Sequence, residues 1–243
     1  RVRGRPPQYP GAPAGGDPSV TLETPSTPPA PHTAGELDAR LVAVERALHA
    51  AAAAVSAENL LNAFGYYADE HQWEAAAQLF AADAWAEVPG VGVYVGREHL
   101  RAALQAAYGA RHEGAFELHQ IAQPVIHATA GGPTRIRARL ARIDAIQDGD
   151  DGYSAGVYEA AVIEEAGAWR IGALDFEPTW SASHSGGWAR VTAAPAHSDA
   201  SKIDAPPDRP LLGPAAPPFP AIADVPFHYS NPVSGRAPAR GSF

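Results

Sequence analysis

Four consecutive stretches in the second half of the chain alternate apolar and polar residues with a period of two, and they constrain the fold more than anything else in the sequence. They run over Ala115–His127, Thr134–Gln147, Tyr153–Glu164 and Trp169–Phe176, joined by turn signals at Gly131-Gly132, at residues 148–152 and at Glu165-Ala166-Gly167. Long strands linked by tight turns form an antiparallel meander. The first half follows another rhythm. From Glu36 to Ala57, Leu37, Leu41, Val44, Leu48 and Val55 recur at three- and four-residue steps through Ala-rich intervals. This narrow stripe is that of a helix that pairs with another helix or lies across a domain. Ser56 is placed to cap a second helix over Ala57–Glu70, with Asn59 in place of the usual Glu or Gln, and Leu60, Phe64, Tyr67 and His71 share its face. A third helix is expected from Trp73 to Phe80 with Ala81-Ala82-Asp83 as its exit, then a strand pair over Trp85–Val95 bent at Pro89-Gly90, then a short helix over Arg97–Tyr108. Helices followed by a meander predict an α+β fold: a cone-shaped, curved antiparallel sheet wrapped by N-terminal helices around an interior pocket.

The ends read differently. Residues 1–35 are dominated by Pro, Gly, Ser and Thr and predict an extended arm. Residues 181–243 are also proline-rich, yet carry Leu211-Leu212, Phe219, Ile222, Val225, Phe227 and Tyr229. A solvated linker has no use for such side chains, so this extension is expected to dock on its own or a neighbouring subunit. The folded domain is therefore placed at 36–180, with 36–57 as its leading helix. A net charge of −9 repels phosphate backbones and argues against nucleic acid as a partner. The absence of cysteine excludes disulfides, thiol nucleophiles and cysteine metal sites. No apolar run approaches the roughly 20 residues that a membrane span needs. The chain begins with Arg1 and has no Met, as expected of a processed or trimmed product, and the compartment, cytoplasmic or exported, stays open. Scarce lysine beside abundant Ala, Gly, Pro and Arg suggests a GC-rich bacterial origin.

Several chemistries fail on inspection. There is no phosphate-binding GxxxxGK[ST] run, no HExxH, no dinucleotide glycine motif and no GxSxG elbow, and the histidines are not spaced as a metal set. No metal and no cofactor is expected. Among the residues that remain, Tyr66, Tyr67, Tyr94 and Tyr158 could stack on an aromatic substrate and donate a hydroxyl where negative charge develops. Arg135, Arg137 and Arg139 alternate with Ile136, Ala138 and Leu140 and so share one face of a strand, with Arg142 following. Either this is a solvated ladder, or a guanidinium enters the pocket beside a carboxylate such as Asp69 or Glu87.

The ordered set Tyr66-Tyr67-Ala68-Asp69, Trp73, Leu79-Phe80-Ala81-Ala82-Asp83 and Gly92–Arg97 resembles the opening of SnoaL-like proteins, of the nuclear transport factor 2-like superfamily. The second half agrees at His119, Pro124-Val125-Ile126, Gly156-Val157-Tyr158-Glu159 and Gly167-Ala168-Trp169-Arg170-Ile171, so the resemblance spans about residues 37–180. The runs Leu174–Trp180, Gly187–Arg190 and Pro226–Arg236 further resemble the C-terminal extension of a longer bacterial subgroup that includes cofactor-free lignin diarylpropane lyases, which release formaldehyde. The resemblance implies that Asp69 mirrors a catalytic Asp of scytalone dehydratase, that His119 occupies a pocket position, that Glu87 aligns with an acidic position, and that Arg139 stands where the subgroup carries an Arg. A carboxylate in an apolar pocket or a histidine suits proton transfer near neutral pH.

Together these readings lead to a cofactor-independent lyase or dehydratase for an aromatic or polycyclic small molecule, a lignin-derived diaryl compound being the sharpest version. In it Asp69, Glu87 and His119 are catalytic, and Tyr66, Tyr67, Tyr94, Arg139 and Tyr158 bind substrate. The competing reading is a non-catalytic ligand-binding or structural module of the same fold, whose arms assemble oligomers or filaments. Self-association as a dimer or larger is expected on either.

Overall fold

The computed structural model describes residues 33–128, 131–149, 151–188, 190, 203–204, 206–212 and 225–237; the N-terminal arm up to residue 32, and Phe219 and Ile222 of the C-terminal extension, lie outside these. Residues up to Leu41 form one compact unit and residues from Val42 onward a second. In the first, Thr33 and Glu36 build a reciprocal capping box. The Glu36 N–H donates to Thr33 Oγ1 at 3.3 Å, and the Thr33 N–H donates to Glu36 Oε2 at 2.8 Å.

That box opens one helix, α1 (Ala34–Asp69), where a break at Ser56 was expected. Between Gly35 and Gly65 there is no Gly or Pro, and the Ala50–Ala54 run has the highest helix propensity available, so a serine alone does not interrupt it. The apolar residues Val44, Leu48 and Val55 are exposed, and burial on α1 starts at Ala53 and continues through Ala57, Leu61, Phe64 and Ala68. Then follow α2 (Trp73–Gln78), β1 (Phe80–Val88), β2 (Gly92–Val95), α3 (Arg97–Tyr108), β3 (Ala115–His127), β4 (Thr134–Ile146), β5 (Asp151–Glu165) and β6 (Ala168–Ser183). Here the third helix is shorter than expected. Phe80 belongs to β1 because its pairing with Ile171 of β6 outweighs the local helix preference of an Ala-rich run.

The six strands form one curved, unclosed sheet in the order β2-β1-β6-β5-β4-β3, antiparallel throughout except for β1 beside β6. Period-two alternation gives the sheet two different faces. One carries Ala86, Ile136, Ala138, Leu140, Tyr158, Ala160 and Leu174, which join Leu61 and Phe64 of α1, Trp73 of α2, and Leu100 and Leu104 of α3 in a single buried cluster. Each large apolar side chain in it, such as the fully buried Phe80, Leu100 and Ile136, contributes about 1.5–3 kcal/mol by leaving water. This is the α+β layer that the order of periodicities predicts.

The other face carries Arg135, Arg137, Arg139, Glu159 and Asp175. Arg135 and Arg139 are exposed, while Arg137 is only 9% exposed because residues 225–229 lie over it. Its Nη1 and Nη2 donate to the carbonyls of Pro226 and Val225 at 3.1 and 3.0 Å, its Cζ sits 4.6 Å from the Phe227 ring centre, and its Nε is 3.0 Å from Glu159 Oε1. His228 Nδ1 meets the second Glu159 oxygen at 2.6 Å. A second piece of the extension runs along the outer edge of β2. Val93 exchanges backbone hydrogen bonds with Asp208 and Arg209, and Asp208 Oδ2 accepts from the Val95 N–H and contacts His99 Nδ1. Gly92 has φ +151°, and a Cβ there would lie 2.7 Å from Pro207, so this approach requires glycine.

Candidate functional site

The candidate site is assembled where α1 ends. The Gln72 N–H donates to Tyr67 O and the His71 N–H to Ala68 O, with His71 at φ 52°, which is a Schellman closure with a histidine where glycine is usual. A non-glycine residue in this left-handed position stores strain, and such strain collects at sites where a side chain is needed. The closure fixes Asp69, the last helical residue, against β3. Asp69 Oδ1 accepts the His119 backbone N–H at 2.7 Å and lies 2.6 Å from His119 Nδ1, with both side chains 12% exposed. The pair of contacts orients the imidazole: Nδ1 carries its proton toward the carboxylate, and Nε2 is left as the basic nitrogen.

His119 opens on a cavity of about 260 Å³. Its walls are mostly apolar, with Phe64, Phe80, Leu100, Leu104, Tyr158 and Phe176 among them, and Trp73 held by a 2.6 Å hydrogen bond from its indole to Gly109 O. Concave apolar sites with a few convergent polar groups are the usual form of a small-molecule site. Polar groups enter from three neighbouring strands. His119 on β3 stands opposite Arg142 on β4, which stands opposite Ser154 on β5, and Glu117 lies two residues before His119 on the same face. Glu117 Oε2 is 3.2 Å from Arg142 Nη2, and Glu117 Oε1 is 3.4 Å from His71 Nε2.

Two phenols complete the wall. Burial pushes the Tyr108 hydroxyl up to about 12, with Arg142 opposing and Glu117 reinforcing the shift. Tyr158 is pushed higher, again by burial first and then by Tyr108, with Arg142 opposing. Both therefore stay protonated at neutral pH and can donate a hydrogen bond inside the cavity.

The expected site residues do not all meet. Asp69, His119 and Tyr158 come together as described. Glu87 borders the cavity, but it has the parity of Asp175 on the outer face, and its carboxylate accepts the Leu212 N–H at 2.8 Å. Burial raises its pKa, the Leu212 N–H opposes the rise, and Glu177 adds to it. Tyr67 is half-buried and packs against the core cluster rather than forming the cavity wall. Tyr66 is 73% exposed, because it sits one residue off the buried face of α1. Tyr94 is fully buried and packs edge-on against His99, 5.0 Å between ring centres, away from the cavity. Arg139 is exposed on the outer face, opposite Ala122 and Val157, so alternation carries it away from the cavity wall. Its place in the wall is taken by Arg142, which shares the parity of Ala138 and Leu140. The sequence reading missed Glu117, Tyr108 and His71; parity with His119 was the available signal for the first, and only the helix closure shows the last.

Gly156 lets the aromatic wall close. A Cβ at this position would overlap the Phe176 ring and lie 2.7 Å from Glu177 O. Gly156→Ala is expected to cost about 1–3 kcal/mol through overpacking. It should also push Phe176 from its place in the wall. Thermal unfolding measures the first effect and ligand-induced quenching of the wall tryptophans the second; an unchanged melting temperature would contradict this packing.

Comparison with known proteins bears on the fold. A family model described as a SnoaL-like domain matches residues 50–175, just over half of the chain. None of the curated proteins matches. Among solved structures, LinA superposes with a TM-score of 0.50 at 14% identity, covering 58% of this chain and 96% of that one. A scytalone dehydratase-like protein of Novosphingobium aromaticivorans gives 0.45 at 17% identity over 64% and 95%. The LinA-type3 hexachlorocyclohexane dehydrochlorinase of Novosphingobium barchaimii gives 0.47 at 14% identity over 55% and 90%. With the match covering α1 from residue 50, the two shorter helices, the Asp69–His119 pair and the sheet as far as Asp175, the chain belongs to the SnoaL-like domain family.

Proposed function

We propose that this protein is a cofactor-independent lyase or dehydratase acting on an aromatic or polycyclic small molecule by general acid–base catalysis. The observation that carries the reading is the Asp69–His119 pair opening on an apolar cavity. His119 Nε2 takes a proton from the substrate, and the imidazolium that forms is stabilised by the Asp69 carboxylate. In a dehydration the C–H electron pair becomes the new C=C bond as the neighbouring C–O bond breaks, and the proton returns from His119 to the departing hydroxide as water. A lignin-derived diaryl compound with a hydroxymethyl group fits the same balance. The O–H proton goes to His119, the C–O becomes the C=O of formaldehyde, and the broken C–C pair forms the alkene while the adjacent hydroxyl leaves as water. Tyr108 and Tyr158 supply neutral donors, and Phe64, Phe80 and Phe176 hold the ring system.

The test is a panel of lignin-type dimers and hydroxylated polycycles, with products followed by mass spectrometry for wild type, His119→Ala and Glu87→Gln. Loss of turnover in His119→Ala, with turnover kept in Glu87→Gln, is the expected pattern. Equal product formation by His119→Ala and wild type would remove the catalytic assignment and leave the ligand-binding module.

A further inference from the structure

Among the described residues of the cavity wall Arg142 is the one Arg or Lys, and its closest ion pair holds one end of the guanidinium. Its side chain is 11% exposed, and Nη2 is fixed by Glu117. Nε is buried with no hydrogen-bond partner among the described residues; the Asp144 carboxylate is 4.0 Å away. Glu117 is itself held by His71 Nε2, and His71 Nδ1 is 3.3 Å from Gly109 O. The chain His71–Glu117–Arg142 thus parallels Asp69–His119 on the same wall. A guanidinium keeps its protons at any ordinary pH; Nε is sealed from water, whereas Nη1 has no hydrogen-bond partner among the described residues and is not sealed, so Nη1 is the donor that a ligand oxygen in the cavity can reach.

The carboxylates around it outnumber the fixed cation when His119 is the neutral base. Glu117, Asp144 and Asp69 are acidic; His71 and His119 can each take a proton, and the Tyr108 and Tyr158 phenols remain neutral. A cavity of this kind does not gather anions by net charge. It favours an oxygen whose charge appears where the guanidinium points.

We infer that Arg142 binds the substrate oxygen that gathers negative charge during the reaction, with Glu117 and His71 as positioning residues, and that the site selects ligands with an acceptor oxygen within one interstrand spacing of the atom that His119 deprotonates. That spacing is about 5 Å for cross-strand partners such as His119 and Arg142. The substrate class is therefore a ring-bearing compound whose reacting bond lies next to a carbonyl or phenolic oxygen. The location of the proton rests on the proposed function, whereas oxygen binding at Arg142 does not.

Two shape-matched probes separate these points, para-nitrophenol and para-nitrotoluene, bound to the full chain above the phenol's own pKa. Absorbance reports the bound phenolate, and quenching of Trp73 and Trp180 in the cavity wall reports occupancy by either probe. Wild type is expected to prefer the phenolate by about tenfold or more, the strength of one charge-assisted hydrogen bond. Arg142→Met should bind para-nitrotoluene as wild type does and lose the preference. Arg142→Lys, which keeps charge without the planar donor edge, should lose most of it. His71→Gly suits the left-handed backbone but empties a buried imidazole site, so it should reduce the preference while para-nitrotoluene binding reports whether the wall is intact. Arg139→Met should change nothing.

If Arg142→Met binds neither probe, Arg142→Lys decides. Retention of full phenolate preference by the Arg142 variant that binds para-nitrotoluene, or its loss in Arg139→Met, overturns the inference. Phenolate preference without turnover of any panel compound would leave oxygen binding standing and reject the proposed reaction.

Discussion

Replacing Asp69 by Asn should lower kcat by roughly 10²–10⁴-fold while KM changes little, the range seen when the orienting acid of a histidine base is neutralised. Substrate binding comes from the apolar walls, the phenols and Arg142, whereas the hydrogen bonds of Asp69 go to His119, so ground-state affinity should survive. What is lost is the charge beside the imidazolium. Asp69 Oδ1 takes both the backbone N–H and Nδ1 of His119, and an amide oxygen can still accept both without stabilising the cation. His119→Ala should lose at least as much, and the double variant should be no worse than His119→Ala alone, since groups acting as a unit are not additive. Steady-state kinetics on any compound from the substrate panel reads all three. A double variant far slower than His119→Ala would mean that Asp69 acts independently, as the acid or base that the sequence left open.

That alternative was open because a sequence displays positions and not partners. The meander was legible because period-two alternation is imposed by the pleat, and β3 and α3 begin and end where the periodicity says. The same alternation held the answer to the arginine question: residues of one parity turn outward, so Arg142, not Arg139, shares the cavity wall with Leu140. The leading helix was read as two because Ser56 looks like a cap, although a cap matters only where the preceding residues cannot themselves be helical. Phe80 was read as helix because its strand pairing is with a residue some ninety positions away, Ile171. Asp69 and His119 could be singled out only through family likeness, since fifty residues separate a helix end from the strand it meets. His71 was hidden for another reason: a left-handed histidine has no sequence signature where glycine is the rule.

Arg137→Ala should be the most destabilising of these substitutions, costing on the order of 3 kcal/mol. For a domain of this size, that corresponds to a fall of about 10 °C in Tm. Arg137 is buried on the outer face of the sheet, where it neutralises Glu159, grips the carbonyls of Val225 and Pro226, and stacks on Phe227. Removing it leaves Glu159 beside Asp175, its cross-strand partner, with His228 Nδ1 as its remaining side-chain contact. Asp175 already feels the crowding: burial first, and then Glu87, Glu177 and Glu159, raise its pKa to about 6. A folded pKa above the unfolded one means a contribution present at acidic pH and lost as pH rises through about 6, so wild type itself should lose some stability across that window. With Arg137 gone the carboxylates repel unscreened, and the deficit relative to wild type should be largest above pH 6 and shrink as Asp175 takes up its proton. Arg137→Met keeps the aliphatic stem, so its smaller loss separates packing from charge. Thermal melts between pH 4.5 and 8, with hydrogen exchange at the backbone amides of Phe227 and His228, measure both the deficit and the release of the segment. A deficit independent of pH would show that Arg137 acts through packing and backbone contacts rather than by balancing this row of acids.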